Sequence, residues 1–316
     1  MCGIAGIVYK QQPGRIGDGL LKMLHGCQHR GPDSTGLAMY GASDSKQLIL
    51  RLFVDADLCH QPQVWPRRFQ QVQQVLEEHD FAMLTASHEG AFCRISGDFY
   101  GDVQQLSYAI EDLAGVEIFS AGHSLEIVKD EGTAHDLETR FGAASFTGTC
   151  GIGHVRLATE SAVNPSSAHP FWAYGFTDVS IVHNGQITNY FKMRRRLEQR
   201  GYRFRTENDS EVIAVYLADK MKRGLTMEQA LQQSLHELDG TFSFLASTPE
   251  GIGYAKDPIG AKPMVVCETD DLVAVASEEV SLQQLWRHER IDTFEPYPGT
   301  SHTWYRSMPD SSVSVK

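Results

Sequence analysis

The chain has 316 residues, of which 41% are apolar, so it can bury a sizeable core as one large domain or two smaller ones. Its 40 acidic residues outnumber its 28 basic ones, and the net charge of -12 argues against nucleic-acid binding and against a basic membrane-binding patch. No apolar stretch reaches the roughly 20 residues of a membrane span, and the first residues lack the features of a signal peptide. We therefore expect a soluble, cytoplasmic protein.

Six cysteines are scattered along the chain: Cys2, Cys27, Cys59, Cys93, Cys150 and Cys267. They lack the close paired spacing of zinc or redox sites, so we expect no metal and no cofactor in this chain. Most of them should be reduced, buried and unreactive.

The first fifty residues predict strands around one helix. The alternation in "GIAGIVY" predicts a strand beginning at Gly3, and the proline and glycines after it predict a turn. "DGLLKMLHGCQHRG" is typical of a helix closed by glycine. "STGLAMYG" and "KQLILRLF" predict two strands joined across a polar turn.

Residues 55–146 differ in character from the rest of the chain. "FQQVQQVLEEHD" and "DVQQLSYAIEDLAG" predict amphipathic helices with few residues that could carry chemistry. We interpret this segment as a helical insertion or subdomain.

Short apolar runs return after Thr147. They predict strands at "GTCGIGHVRLAT", "VSIVHNG", "FSFLAST", "GIGYAKD", "PMVVCE" and "LVAVASE". Helices ended by glycine are predicted at "NYFKMRRRLEQRG" and "DSEVIAVYLADKMKRG", and residues 301–316 are expected to form a polar tail. The pattern predicts a mixed α+β protein whose sheets need helices on their outer faces.

Cys2 directly follows the initiator methionine. Removal of that methionine would place a thiol and a free α-amine on one residue. In model peptides an α-amine has a pKa of about 7.7–8.0 and a thiol one of about 8.5, so the amine can take the thiol proton at neutral pH. Cys2 is therefore a candidate nucleophile with its own base, although a small buried residue at the start of a strand is the plainer interpretation.

Two arginines stand in unusual contexts. Arg30 lies in the charged turn "HRGPDSTG". Such a turn is usually just solvated, but the Arg30 guanidinium could instead bind carbonyls near the chain start and hold the nucleophile in place. Arg156 lies within a strand pattern, where a guanidinium must find an anion or solvent, and its planar fork suits a substrate carboxylate. Neighbouring His154 is interpreted as a buried structural histidine.

Asn184 and Gly185 end the apolar strand "IVHNG". An Asn-Gly pair is most often a plain turn. Alternatively, the Asn184 amide and the Gly185 backbone N–H form an oxyanion hole, in which losing one donor typically costs about 100- to 1,000-fold in turnover. His183 is then not needed as a base, because the N-terminal amine supplies one.

Asp209 begins a predicted helix in "TENDSEVI". It is either only the helix cap or a carboxylate that holds a ligand ammonium group. If Arg156 binds the α-carboxylate and Asp209 the α-ammonium group, the two residues together would hold the backbone end of an α-amino acid. The thiol and the oxyanion hole then predict a substrate amino acid with a side-chain carbonyl.

Six ordered motifs resemble those of the class II glutamine amidotransferases, whose glutaminase domain belongs to the N-terminal nucleophile hydrolases. They are "MCGIAGI", "HRGPDSTG", "GHVRLAT", "VHNG", "NDSEVI" and "KDPIGAKPM" with "ASEE". The resemblance implies that Cys2 is the nucleophile, that Asn184 and Gly185 form the oxyanion hole, and that Arg156 and Asp209 bind L-glutamine. It also implies a four-layer αββα sandwich of two stacked antiparallel sheets.

The resemblance covers residues 2 to about 55 and 147 to about 300. We expect an amidotransferase domain over 2–300, with the helical insertion at about 55–146 and the tail at 301–316, and no room for a synthase domain. The chain is thus similar to the separate glutaminase subunits of glutamate synthase-like enzymes, including N-methylglutamate synthase of methylamine metabolism. This implies a hetero-oligomer in which a flavin-containing partner receives the ammonia.

Two alternatives stay open. One is a binding or regulatory subunit with a glutaminase fold that turns over slowly or not at all. The other is an N-terminal nucleophile amidase acting on a different amide, against which Arg156 and Asp209 argue because they require free α-groups.

Overall fold

The computed structural model describes residues 2–54, 64–158, 163–287 and 289–307. The predicted site residues all lie within these ranges. Met1, Cys59 and residues 308–316 of the predicted tail lie outside them.

The described strands are, in chain order, β1 (Gly3–Tyr9), β2 (Ser34–Tyr40), β3 (Gln47–Val54), β4 (Ala82–Glu89), β5 (Phe92–Asp98), β6 (Val116–Gly122), β7 (Leu125–Glu131), β8 (Cys150–Arg156), β9 (Phe171–Trp172), β10 (Ser180–Ile187), β11 (Gly240–Thr248), β12 (Gly251–Lys256), β13 (Val265–Glu268), β14 (Leu272–Ala276), β15 (Thr293–Phe294) and β16 (Ser301–Tyr305). The described α-helices are α1 (Ile16–Gly26), α2 (Val64–Glu78), α3 (Val103–Glu111), α4 (Ala134–Phe141), α5 (Tyr190–Glu198), α6 (Asp209–Lys222), α7 (Met227–Glu237) and α8 (Glu279–Leu282).

Two antiparallel sheets are stacked at the centre of the molecule. Over the described residues, the first has seven strands in the order β15-β13-β14-β1-β8-β2-β7, and the second has five in the order β16-β12-β11-β10-β9. Strands β1 and β8 of the first sheet contact β10, β11 and β12 of the second. Gly6 lets the sheets approach closely, because a Cβ at that position would lie 2.9 Å from Leu245 Cδ1.

Helices cover the outer faces of both sheets. Helices α1, α4 and α8 pack on the first sheet, while α6 and α7 pack on the second and α5 packs on α6. Ile16, Leu20 and Leu24 are spaced four residues apart, so they share one face of α1, and all three are fully buried. This arrangement confirms the predicted four-layer αββα sandwich.

The register of β1 against β8 positions the chain start. The two strands are antiparallel, and Gly3 lies opposite Val155. The start of β1 therefore lies beside the end of β8, which brings Cys2 close to Arg156 although the two are 154 positions apart in the sequence.

The insertion is helical only in part, so the prediction of a helical insertion is wrong for its strands. Within the described ranges, a third antiparallel sheet has the order β4-β5-β3-β6, and α2 and α3 pack beside it. Every residue of β4 is exposed, so neither face of the strand is buried. Its sequence therefore lacks the alternation of apolar residues that would predict a strand. The two strands predicted on either side of the polar turn after Tyr40 are both formed, but β2 lies in the first sheet and β3 in the third.

The prediction of a polar tail is wrong for Ser301–Tyr305, which form β16 at the edge of the second sheet. Trp304 is buried there, and its ring lies 5.6 Å from that of Tyr254. Burial of this indole explains why a segment of polar composition pairs with β12. Across the described part of the chain, no helix is long and apolar enough to cross a membrane.

Candidate active site

Cys2 is held at the start of β1 by contacts with its backbone. Arg30 Nε donates to the Cys2 carbonyl at 3.0 Å, and Asn184 Nδ2 donates to the same oxygen at 3.2 Å. Two residues later, Ile4 N donates to Ser277 Oγ at 3.0 Å. Three different parts of the chain therefore fix the backbone that carries the thiol.

Among the cysteines that the structure describes, Cys2 differs from the rest in exposure. It is partly exposed, whereas Cys27, Cys93, Cys150 and Cys267 are buried, and all five are free of disulfides. Burial raises the pKa of Cys93 and of Cys150 to about 12. Those buried thiols are protonated and unreactive at neutral pH, as predicted.

Arg30 lies in the short turn Gln28–Arg30 and is buried. Its guanidinium contacts the Cys2 carbonyl on one side and the Glu278 carboxylate on the other. The carboxylate balances the buried charge, so the guanidinium can be fixed beside the chain start. This is the contact with a carbonyl near the chain start that the sequence predicts; its importance for activity stays a prediction.

Arg156 is the last residue of β8 and is 4% exposed. Burial lowers the pKa of its guanidinium, while Cys2 and Asp33 act in the opposite direction. Asp33 follows Arg30 in the "HRGPDSTG" segment, and Asp33 N donates to the Arg156 carbonyl at 3.0 Å. Gly31 packs directly on this backbone, since a Cβ there would lie 2.5 Å from Arg156 N.

Asn184 and Gly185 lie on β10, next to the chain start. One N–H of the Asn184 amide binds the Cys2 carbonyl, and an amide has a second N–H to offer. Gly185 has φ +141, and a Cβ there would lie 2.0 Å from Thr241 O. Only glycine fits this position in the strand, so Asn184 and Gly185 do not form a plain turn. Their action as an oxyanion hole stays a prediction.

Asp209 is the first residue of α6, but it is not the helix cap. Asn208 is the cap, and its side chain accepts a hydrogen bond from Ser210 N at 2.9 Å. Asp209 Oδ2 instead accepts from Ile187 N at 2.9 Å. Burial raises the pKa of the Asp209 carboxyl, but nearby His183 and hydrogen bonds outweigh burial and hold this pKa below its usual value. Asp209 is therefore an anion at neutral pH.

A cavity of about 730 Å³ joins these residues. Cys2, Arg156, Gly185 and Asp209 all line it, together with Phe191 at the start of α5. The volume lies in the usual range of small-molecule sites. A thiol, a buried cation and a partly exposed anion thus face one space, although the chain carries them on three separate segments. The described residues contain no cluster of histidine, cysteine and carboxylate side chains that could hold a metal ion.

The structure adds residues that the sequence patterns do not single out as site residues, among them Glu278 and His169. Glu278 pairs with Arg30, and His169 lines the cavity. The "ASEE" motif after β14 contains Glu278, so its place beside Arg30 could have been sought there. His169 has no comparable signal in the sequence.

This fold has solved counterparts. The structure of glutamine phosphoribosylpyrophosphate amidotransferase from B. subtilis matches with a TM-score of 0.57 and 19% sequence identity, over 98% of this chain and 50% of that one. At this identity the likeness concerns the fold alone. The fold is therefore of the N-terminal nucleophile hydrolase type.

Sequence relatives narrow this class to one family. A model described as glutamine amidotransferase domain matches residues 154–284. A protein of Methanothermobacter thermautotrophicus whose name places it among the glutamine amidotransferases is 38% identical over 94% of this chain and 97% of its own length. The glutamine amidotransferase-like protein GlxB of Rhizobium meliloti is also 38% identical, over 96% of this chain and 98% of its own. The chain belongs to the class II glutamine amidotransferases.

Proposed function

We propose that this chain hydrolyses L-glutamine to glutamate and ammonia, with Cys2 as the nucleophile. The observation that carries the proposal is the single cavity lined by Cys2, Arg156, Gly185 and Asp209. Cys2 provides the thiol and Gly185 a backbone N–H, while Arg156 and Asp209 provide the two charges that complement the α-carboxylate and α-ammonium groups of an amino acid.

The reaction begins after Met1 has been removed. The Cys2 α-amine takes the thiol proton, and Sγ attacks the side-chain amide carbon of glutamine. The Asn184 amide and the Gly185 N–H hold the oxyanion of the tetrahedral intermediate. The C–N bond then breaks, ammonia leaves with the transferred proton, and a glutamyl thioester remains on Cys2. Water hydrolyses this thioester, which releases glutamate and restores the thiol.

Arg30 acts on this chemistry through the backbone. Its contact with the Cys2 carbonyl, shared with Asn184, restrains the residue that carries both nucleophile and base. Effective positioning of reacting groups can account for several orders of magnitude in rate.

The released ammonia is proposed to pass to a separate acceptor chain. We propose a flavin-containing, glutamate synthase-like partner, with N-methylglutamate synthase of methylamine metabolism as the specific case. Support comes from two relatives that match this chain over 97% and 98% of their own length and so contain no long second domain beyond the match.

The proposal is tested by the N-terminus and by a thiol variant. Mass spectrometry of the purified native chain should show Cys2 as the first residue, and the chain should release ammonia and glutamate from L-glutamine. Cys2→Ala should abolish this turnover, whereas Cys267→Ala should keep it, because Cys267 is buried in β13 away from the cavity. Turnover by Cys2→Ala would exclude the thiol mechanism, and a correctly processed chain that leaves glutamine intact, even with its partner, would favour a regulatory subunit.

A further inference from the structure

Ser210, the second residue of α6, meets three side chains at its hydroxyl. His169 Nε2 lies 2.8 Å from Ser210 Oγ, His183 Nδ1 lies 3.1 Å away, and Asp209 Oδ1 lies 3.3 Å away. Ser210, His169 and His183 are all more than nine-tenths buried. We call these three residues together with Asp209 the Ser210 network.

The chemistry of the four groups assigns every proton in the network. A hydroxyl has one proton to donate and two lone pairs to accept with, whereas an ionised carboxylate can only accept. The Ser210 proton must therefore go to Asp209. Both imidazoles must then donate to Ser210 Oγ, which requires a proton on His169 Nε2 and a proton on His183 Nδ1. In this state the hydroxyl has used all of its hydrogen-bonding capacity.

Further contacts fix both histidines. His154 Nε2 lies 3.2 Å from the His183 carbonyl, and the rings of His154 and His169 are stacked with centroids 4.2 Å apart. Lys129 Nζ donates to the Ala168 carbonyl at 2.7 Å, directly before His169. The two imidazoles that meet at Ser210 are thus held from β7, β8 and β10 and have little freedom to turn away.

Asp209 connects the Ser210 network to the cavity, because part of its side chain stays exposed there. Asp209 Oδ2 is bound by Ile187 N, and Oδ1 is bound by Ser210. The Asp209 side chain keeps 23% of its surface exposed, whereas that of His183 keeps 2%. The contacts on its two oxygens therefore decide how the Asp209 carboxylate is oriented toward the cavity.

We propose that Ser210, His169 and His183 are positioning residues that orient the Asp209 carboxylate toward the α-ammonium group of glutamine. The inference rests on the proposed function, because it takes glutamine as the ligand of this cavity. It goes beyond that function by assigning recognition of the α-amino group to a network rather than to Asp209 alone.

The test compares binding of L-glutamine with that of glutaramate, which is glutamine without its α-amino group. Titration calorimetry in a Cys2→Ala background measures both dissociation constants without turnover, so the result does not depend on hydrolysis. Adding Ser210→Ala should weaken binding of L-glutamine by about 10-fold, since one hydrogen bond to a charged group is lost. Binding of glutaramate should change far less, so the preference for the α-amino ligand should collapse.

His169 offers a matched pair of variants in the same background. The Gln side chain can place an N–H near the position of imidazole Nε2, so His169→Gln should keep most of the preference for L-glutamine. His169→Leu removes the donor at similar volume and should lose the preference as Ser210→Ala does. The thermal unfolding midpoint of each variant checks that the fold is retained, and the His169 pair decides the matter if Ser210→Ala does not fold.

Equal weakening of both ligands in Ser210→Ala and His169→Leu would overturn the inference, because loss of structure does not distinguish the two ligands. An unchanged preference, or no binding of L-glutamine to the parent chain, would overturn it as well. Failure of the proposed function has a different signature, in which the chain with Cys2 intact binds L-glutamine selectively but does not hydrolyse it.

Discussion

Arg156 is a buried cation placed beside Cys2, and the structure shows how that charge is tolerated. The Asp33 carboxylate accepts from Ala158 N at 2.7 Å, and it opposes the fall that burial causes in the pKa of Arg156. A guanidinium stays protonated under these conditions. Removing a cation from water is costly unless anions surround it, and the predicted ligand carboxylate would add one at this position.

Arg156→Lys tests the need for a planar fork rather than a positive charge. Lysine keeps the charge but replaces the guanidinium, with its bidentate hydrogen bonding, by a single ammonium group. We expect the KM for L-glutamine to rise about 10-fold with a smaller change in kcat, because the loss concerns ground-state binding of the α-carboxylate. Steady-state kinetics measure both values. Arg15→Lys, at an exposed position before α1, is the matched control and should leave both unchanged.

At the scale of elements, strand β10 and the N-terminus of α6 build the site together. Consecutive strand residues point to opposite faces, so His183 reaches Ser210 of α6 while Asn184 reaches the Cys2 carbonyl. Ile187, the last residue of β10, then binds Asp209 through its N–H. Strand β10 thus connects Cys2, the predicted nucleophile, to the predicted ammonium site, and its register determines both contacts.

Gly185→Ala tests the backbone of β10. A Cβ at this position would lie 2.0 Å from Thr241 O, so β10 must separate from β11 or shift along it. We expect glutaminase activity to fall by at least about 100-fold, as when an oxyanion-hole donor is displaced. Gly201→Ala is the control, since Gly201 has φ +91 but nothing within 4 Å of the added Cβ. Comparable losses in the two variants would show that backbone strain, and not the collision with β11, is responsible.

At the scale of the whole molecule, the third sheet supports the wall of the cavity. Arg205 Nη1 donates to the Ile118 carbonyl of β6 at 2.9 Å, and Arg205 Nη2 donates to the Ser166 carbonyl at 3.5 Å. Ser167 and Thr206, the neighbours of these residues in the chain, line the cavity. The insertion is therefore joined to two loops of the predicted glutamine site, which gives it a structural part in the site.

The junction between α3 and β6 should make stability depend on pH. Glu111 of α3 accepts from Ile118 N at 2.6 Å, and burial raises the pKa of its carboxyl from 4.5 to about 7, with Arg205 and Ile118 acting in the opposite direction. The folded state thus binds this proton more tightly than the unfolded state. The stabilising contribution is complete below about pH 4.5 and is lost as the pH rises toward about 7.

Glu111→Gln tests this dependence because glutamine can keep an acceptor for Ile118 N and does not titrate. The free energy of unfolding, measured with urea at pH 5 and pH 8, should shift in favour of the variant as the pH rises. An identical difference between variant and parent at the two pH values would contradict the raised pKa.

Local features of this protein could be predicted from its sequence because they depend on neighbouring residues. The alternation of Gly3–Tyr9 and the periodicity of Ile16–Gly26 predict these elements correctly. Strand β4 could not be predicted in this way, because all its side chains are exposed and hydrogen bonding to β5 maintains it. Strand β16 depends on β12 in the same way.

The sequence by itself determined the residue types of the predicted chemistry, with Cys2, Arg156, Gly185 and Asp209 in recognisable motifs. Only the tertiary structure decided that they share one cavity, because antiparallel pairing and sheet stacking join positions far apart in the chain. The same holds for Ser210, whose partner His169 lies 41 residues away. A hydrogen bond depends on distance in space, and no pattern of neighbouring residues specifies that distance.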